Sequence, residues 1–226
     1  MKGFSPMRVE TVLKWSDSNT KVQKLGDRFG KVFSFGLPAF KSEDGFKVCP
    51  GAGACAAVCF ARQGQYVRSA VKNAREVNLR AARGNLQVFI KHAVSDLKRL
   101  GAKLVRIHDS GDFFSSSYLN AWFSIARSLP GVKFYAYTKS IHLDLYTNKP
   151  ENLAITQSFG GINDAEIDES RAVSRIFSTD YARRKAGFSD GSKTDLLAVK
   201  GEEGIKIGLI YHGVANLSDA QDKHFR

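Results

Sequence analysis

Residues 103–140 read KLVRIHDSGDFFSSSYLNAWFSIARSLPGVKFYAYTKS, and this stretch decides the fold. Two short apolar runs, 103–107 (KLVRI) and 132–137 (VKFYAY), bracket a single amphipathic segment. The first run ends in the polar turn His108-Asp109-Ser110-Gly111-Asp112. Serines 115–117 then offer an N-cap for a helix. Tyr118, Trp122, Ile125 and Ala126 recur at helical spacing and are expected to face inward. Pro130-Gly131 stops the helix, and the second run ends in Thr138-Lys139-Ser140. A strand, a helix and a strand joined this tightly predict a parallel βαβ unit.

The pattern continues outward. Upstream, 31–37 (KVFSFGL) is strand-like and Pro38 ends it. A long loop then runs to Cys59. Helices are predicted over 66–83 and 86–100, separated by Gly84-Asn85 and stopped by Gly101. Downstream, 153–156, 173–177, 196–199 and 205–211 read as further strands. In parallel α/β folds, ligands sit beyond the carboxyl ends of the strands. Polar residues collect there: His108, Asp109, Asp112, Thr138, Lys139, Gln157, Asp180 and His212. The expected organisation is a lead-in segment over 1–30, a single α/β domain over 31–217 and a polar tail over 218–226.

The long loop holds the only three cysteines, Cys49, Cys55 and Cys59, in the run CPGAGACAAVCFA. Three thiolates spaced C-x5-C-x3-C can hold three irons of a [4Fe-4S] cluster and leave the fourth iron open. Small residues keep such a wrap thin, and glycines permit positive φ. Their N–H groups can point at cluster sulfides. Zinc is the competing metal, although it wants four ligands and would have to recruit a distant histidine such as His108 or His212.

Around this loop, Lys139, Asp112 and His108 are the candidate catalytic groups. Lys139 at a strand end is a cation that needs an anion if buried. His108 can act as an acid or base. Asp109, Thr138 and Gln157 are candidate cofactor-binding groups, with turn capping as the alternative role for Asp109. Arg68, Lys72, Arg75 and Arg83 fall on one side of the 66–83 helix. They read as a solvated face or as a surface for nucleic acid.

Composition limits the rest. The apolar share is 43% over 226 residues, ordinary for a soluble domain that needs no disulfides. No apolar run approaches the length of a membrane span, and the N-terminus lacks a signal-peptide core. A cytoplasmic protein with reduced thiols is therefore expected. The net charge of +12 favours anionic partners.

Three motifs together carry a resemblance. They are Cys49 to Ala61 with its aromatic-alanine ending, Arg106 to Phe113 (RIHDSGDF) and Phe134 to Ser140 (FYAYTKS). Over roughly 33–158 the chain resembles the bacteriophage gene product 88 family, which implies a phage or prophage protein in the host-cell cytoplasm. Its layout also resembles radical S-adenosylmethionine enzymes, which place a three-cysteine loop after the first strand of a partial barrel. That resemblance implies Cys49, Cys55 and Cys59 as cluster ligands, with S-adenosylmethionine chelating the open iron. Two features depart from it: those enzymes space their cysteines C-x3-C-x2-C, and their Gly-Gly-Glu has only Ser110-Gly111-Asp112 as a counterpart.

The expected fold is therefore α/β, a partial or irregular (β/α) barrel of parallel strands. The expected function is a [4Fe-4S] protein acting on a small-molecule ligand at the open iron, with an external electron donor. The alternative is a non-catalytic basic metal-binding module that binds nucleic acid.

Overall fold

A computed structural model of the protein describes residues 12–211. The βαβ unit read from residues 103–140 is present. Strand β3 (Leu104–Ile107) leads to helix α4 (Ser116–Arg127) and then to strand β4 (Lys133–Thr138). The Ser115 hydroxyl accepts from the Tyr118 N–H and caps α4. Before this unit lie β1 (Trp15–Ser16), α1 (Thr20–Phe29), β2 (Val32–Phe35), α2 (Ser69–Arg83) and α3 (Leu86–Leu100). After it come β5 (Leu153–Ser158), β6 (Val173–Phe177), α5 (Asp180–Lys185), β7 (Ser189–Asp190), α6 (Leu196–Lys200) and β8 (Lys206–Ile210).

The strands form one eight-stranded sheet in the order β1-β2-β3-β4-β5-β6-β8-β7. Only the β1–β2 pair is antiparallel. The sheet is open, so the barrel expected from the sequence is not formed, and the layout of a radical enzyme is not supported. The βα rhythm alone does not separate the two outcomes, because closure depends on pairing between the outermost strands. Here those are the two-residue strands β1 and β7, and they do not pair with each other.

Side-chain alternation divides the sheet into two faces. Phe35, Val105, Ile107, Phe134 and Ala136 pack under α2, α3 and α4 as the main core. Val32, Leu104, Tyr135 and Ile207 face the other way, against Val22 and Leu25 of α1 and Ala198 and Val199 of α6. A smaller cluster of Phe159, Val173, Phe177 and Phe188 lies under α5.

Two local readings change. Residues 196–199 form a helix, not a strand, and Gly201 ends it in the left-handed region at φ 60°. The apolar run LLAV has no alternation, so its period could not tell a short buried helix from a buried strand. Within the segment read as a lead-in, β1 and α1 are integral to the sheet and its second face. His212 and the 218–226 tail lie outside the described residues.

Candidate functional site

The carboxyl ends of β2 and β3 open into a cavity of about 640 Å³. Its floor is Ser34, Gly36 and Asp109, one wall is β1 with the start of α1, and the other is α2 with the turn before it. Asp109 is placed by its own N–H, which bonds the Phe35 carbonyl at 3.2 Å and ties the β3 end to β2. Opposite it stands Arg75 of α2. Their side chains, each about one-tenth exposed, meet through Nη2 and Oδ2 at 2.9 Å. The Arg75 guanidinium also lies 4.4 Å from the centre of the Tyr66 ring.

This pair is incompletely satisfied. Arg75 Nε and Asp109 Oδ1 are buried and have no hydrogen-bond partner among the described residues. Both lie over Gly36: a Cβ there would meet Oδ1 at 2.2 Å and Nε at 2.9 Å. Glycine is thus required for close approach at this position. Asn78, one turn from Arg75, is fully engaged: its amide donates to the Lys14 and Gly36 carbonyls and accepts from the Lys14 N–H. It fixes the distance between α2 and the β1–β2 edge, and with it the width of the cavity.

A second cavity of about 390 Å³ shares Tyr66 and Arg75 with the first. Its rim carries Lys41, Arg62 and Lys72, with Glu43 and Glu76 on the same lining.

The other polar groups at the strand ends are placed differently. Asp112 is buried and accepts from Thr138 Oγ1 at 2.6 Å, from the Lys139 N–H at 2.9 Å and from its neighbour Phe113 at 2.7 Å. Burial raises its pKa, while those bonds draw it down in part. It is a joint between the β3 and β4 ends. Thr138 is used in the same joint. Gln157 exchanges two bonds with the Asp168 backbone and anchors the loop after β5. The Lys139 ammonium donates to Ser158 Oγ at 2.6 Å.

His108 is enclosed by Phe35, Phe113, Tyr118 and Trp122, with Nε2 2.8 Å from the Tyr118 hydroxyl. Burial, reinforced by the Arg106 charge, lowers its pKa to about 3. It is a neutral core histidine on the main-core side of the sheet. Of the residues singled out around the cysteine loop, Asp109 lines the larger of these two cavities, and neither cavity is lined by the others.

The iron–sulfur reading of the cysteine loop is overturned. Among the described residues, no group of three or more His, Cys, Asp or Glu side chains is arranged to hold a metal ion. Among the described residues the same holds for a zinc site recruiting His108, and His212 lies outside them. The function built on an open iron falls with the iron–sulfur reading, and the radical-enzyme layout is not supported. Burial, with Asp112 next in effect, raises the Cys49 pKa far above the ordinary thiol value.

The small residues of the loop have another explanation. A Cβ on Gly51 would meet the Lys139 carbonyl oxygen at 2.0 Å, and one on Gly53 would meet Gly161 at 2.8 Å. Ala52 bridges to Gly161, the Cys55 N–H donates to the Gly160 carbonyl, and the Ile162 N–H donates to that of Gly51. The Asp164 carboxylate in turn accepts from the Gly160 and Gly161 N–H groups, both at 2.8 Å. The loop is thin because it docks backbone to backbone against the ends of β4 and β5. The sequence showed that thinness and could not show what lay against it.

The basic stripe is not one uniform face. Arg75 is buried on Asp109, and Arg83 pairs with Asp44 at 2.6 Å over the ring of Phe46. Arg68, Lys72 and Arg83 remain at the surface, Arg83 with its charge paired. The alternative reading, a non-catalytic basic metal-binding module that binds nucleic acid, falls with the metal.

A family model described as Gene product 88 matches residues 12–222. The chain is 33% identical over 210 residues to the Gene 88 protein of Mycobacterium phage L5, covering 83% of this chain and 86% of that one. It is 32% identical over 207 residues to the Gene 88 protein of Mycobacterium phage D29, covering 81% and 85%. No solved structure matches it. Among the described residues, no helix is long and apolar enough to cross a membrane.

Proposed function

The chain belongs to the gene product 88 family, and for this member we propose a small-molecule-binding function seated in the cavity at the ends of β2 and β3. One observation carries the reading. A cavity of ligand size is floored by a buried Arg75–Asp109 pair whose Nε donor and Oδ1 acceptor are unmet. Buried polar groups without partners are costly, and a structure that retains them at a cavity is organised for something that completes them. Tyr66 and Trp15 add aromatic lining, and Ala70, Val71 and Ala74 keep the α2 wall low and apolar. Such a site suits a planar molecule that lies against the aromatic lining. Its position beyond the carboxyl ends of parallel strands is where α/β sheets bind ligands.

The test is a protein-observed NMR screen of the full chain against small planar heterocycles and organic acids. Compounds that bind should shift the Arg75 side-chain Nε–H signal and the backbone signals of Ser34 and Gly36. They should fail to do so in Ala74→Phe, which fills the cavity from the α2 side. A screen in which no compound perturbs these signals, or in which Ala74→Phe binds as the wild type does, refutes the reading.

A further inference from the structure

The two cavities share Tyr66 and Arg75, which line both. Their chemistry differs. The larger is walled by aromatic and small apolar groups over the Arg75–Asp109 pair. The smaller is rimmed by Lys41, Arg62 and Lys72, none of which makes an ion pair among the described residues. Two carboxylates share that lining. The buried Glu76 already accepts the Glu43 N–H at 2.9 Å, and the Glu43 side chain is exposed. Three cations against two carboxylates leave the rim positive even before Arg75 is counted. One Arg62 nitrogen, Nη1, bonds the Ala56 carbonyl at 3.0 Å, so the rest of its fork remains for an oxyanion.

Resting on the reading above, we infer that the ligand is a phosphorylated planar heterocycle, in chemical terms a nucleoside monophosphate, that lies across Tyr66 and Arg75. Its heterocycle occupies the larger cavity, against the Tyr66 ring and beside the Arg75–Asp109 pair. Its phosphate occupies the smaller cavity and takes charge-assisted bonds from Lys72 and Arg62. Neither half alone occupies both cavities. A neutral heterocycle leaves the basic rim unmatched, and free phosphate leaves the Arg75–Asp109 pair incomplete.

The experiment is isothermal titration of the full chain with the common ribo- and deoxyribonucleoside monophosphates, the matching nucleosides and inorganic phosphate. At least one monophosphate should bind on the order of tenfold or more tighter than its own nucleoside. The Arg62→Ala/Lys72→Ala double variant should lose that advantage and keep the nucleoside affinity. Both residues are exposed, so an unchanged melting temperature shows that the variant is folded. Equal binding of nucleoside and monophosphate, or an advantage that survives the double variant, overturns the inference. So does a screen in which other planar compounds occupy the larger cavity and no nucleotide does; that result leaves the small-molecule reading intact. Only the absence of any binder sensitive to Ala74→Phe removes both.

Discussion

Arg106 Nη1 lies 2.9 Å from Asp195 Oδ2, on the face of the sheet covered by α1 and α6. Asp195 is fully buried and collects three more donors: Lys21 Nζ at 3.1 Å, the Tyr135 hydroxyl at 3.1 Å and the Tyr137 hydroxyl at 3.4 Å. One carboxylate thus joins β3, β4, α1 and the residue that precedes α6. Burial works against its charge, yet Arg106 and then Lys21 outweigh that and hold its pKa below the ordinary carboxylate value. Burial likewise opposes the Arg106 cation, and Asp195 and the two tyrosines more than restore it.

Removing one partner of such a network strands the other. Asp195→Ala leaves Arg106 uncompensated and should lower the unfolding free energy by about 3–5 kcal/mol. Urea unfolding followed by circular dichroism measures this. Replacing Asp195 and Arg106 together with apolar residues of similar size should restore a large part of the loss. If the single and double variants are equally unstable, the network contributes through packing and not through its charges.

Much of this arrangement was legible in the sequence, and its polar wiring was not. The runs KLVRI and VKFYAY gave their strands, and the helix between them, because their periods are unambiguous and Pro130-Gly131 and the serines punctuate them. Trp15 and Ser16 were missed because a two-residue strand has no period to detect. Thr20–Phe29 was missed because its buried side is only Val22 and Leu25 amid charged residues. The candidate site was half visible. Asp109 stood out at a strand end, but its partner Arg75 looked like one more charge on a basic helix face. Pairing across 34 residues is a product of tertiary packing, and a stripe of arginines gives no sign of which one is buried. The cysteines misled for a related reason. Thin glycine-alanine loops serve equally well to wrap a cluster or to lie against another backbone.

The buried His108 makes stability depend on pH. Its folded pKa is about 3, below the ordinary 6.5, so between these values the unfolded chain takes up a proton that the folded chain refuses. Stability should therefore rise as pH increases from about 3 to 6.5 and gain nothing more from this group above that. The slope from one such group is at most about 1.4 kcal/mol per pH unit. His108→Phe keeps a ring among Phe35, Phe113 and Trp122 and should flatten the profile between pH 5 and about 6.5, where carboxylates contribute least. Denaturant titrations of both proteins across this range measure the difference. Parallel profiles would show that His108 is free to protonate in the folded protein.

The docked cysteine loop yields a prediction that separates packing from any role as a ligand set. A Cβ on Gly51 would meet the Lys139 carbonyl oxygen at 2.0 Å, a backbone atom that cannot turn aside. Gly51→Ala must therefore lift the loop away from the ends of β4 and β5. It should break the bond from the Ile162 N–H to the Gly51 carbonyl and expose Cys49. The expected loss of stability is about 2–3 kcal/mol, within the range for overpacking at a buried backbone contact. Cys49 reports the movement directly. In the wild type its thiol is held protonated by burial and by Asp112, so it should react slowly with iodoacetamide at mildly alkaline pH. In Gly51→Ala it should react markedly faster, as read by mass spectrometry of labelled peptides, because water reaches the sulfur and the desolvation that raised its pKa is relieved. If Cys49 reacts as fast in the wild type as in the variant, the loop does not dock as described. Its glycines would then need another explanation.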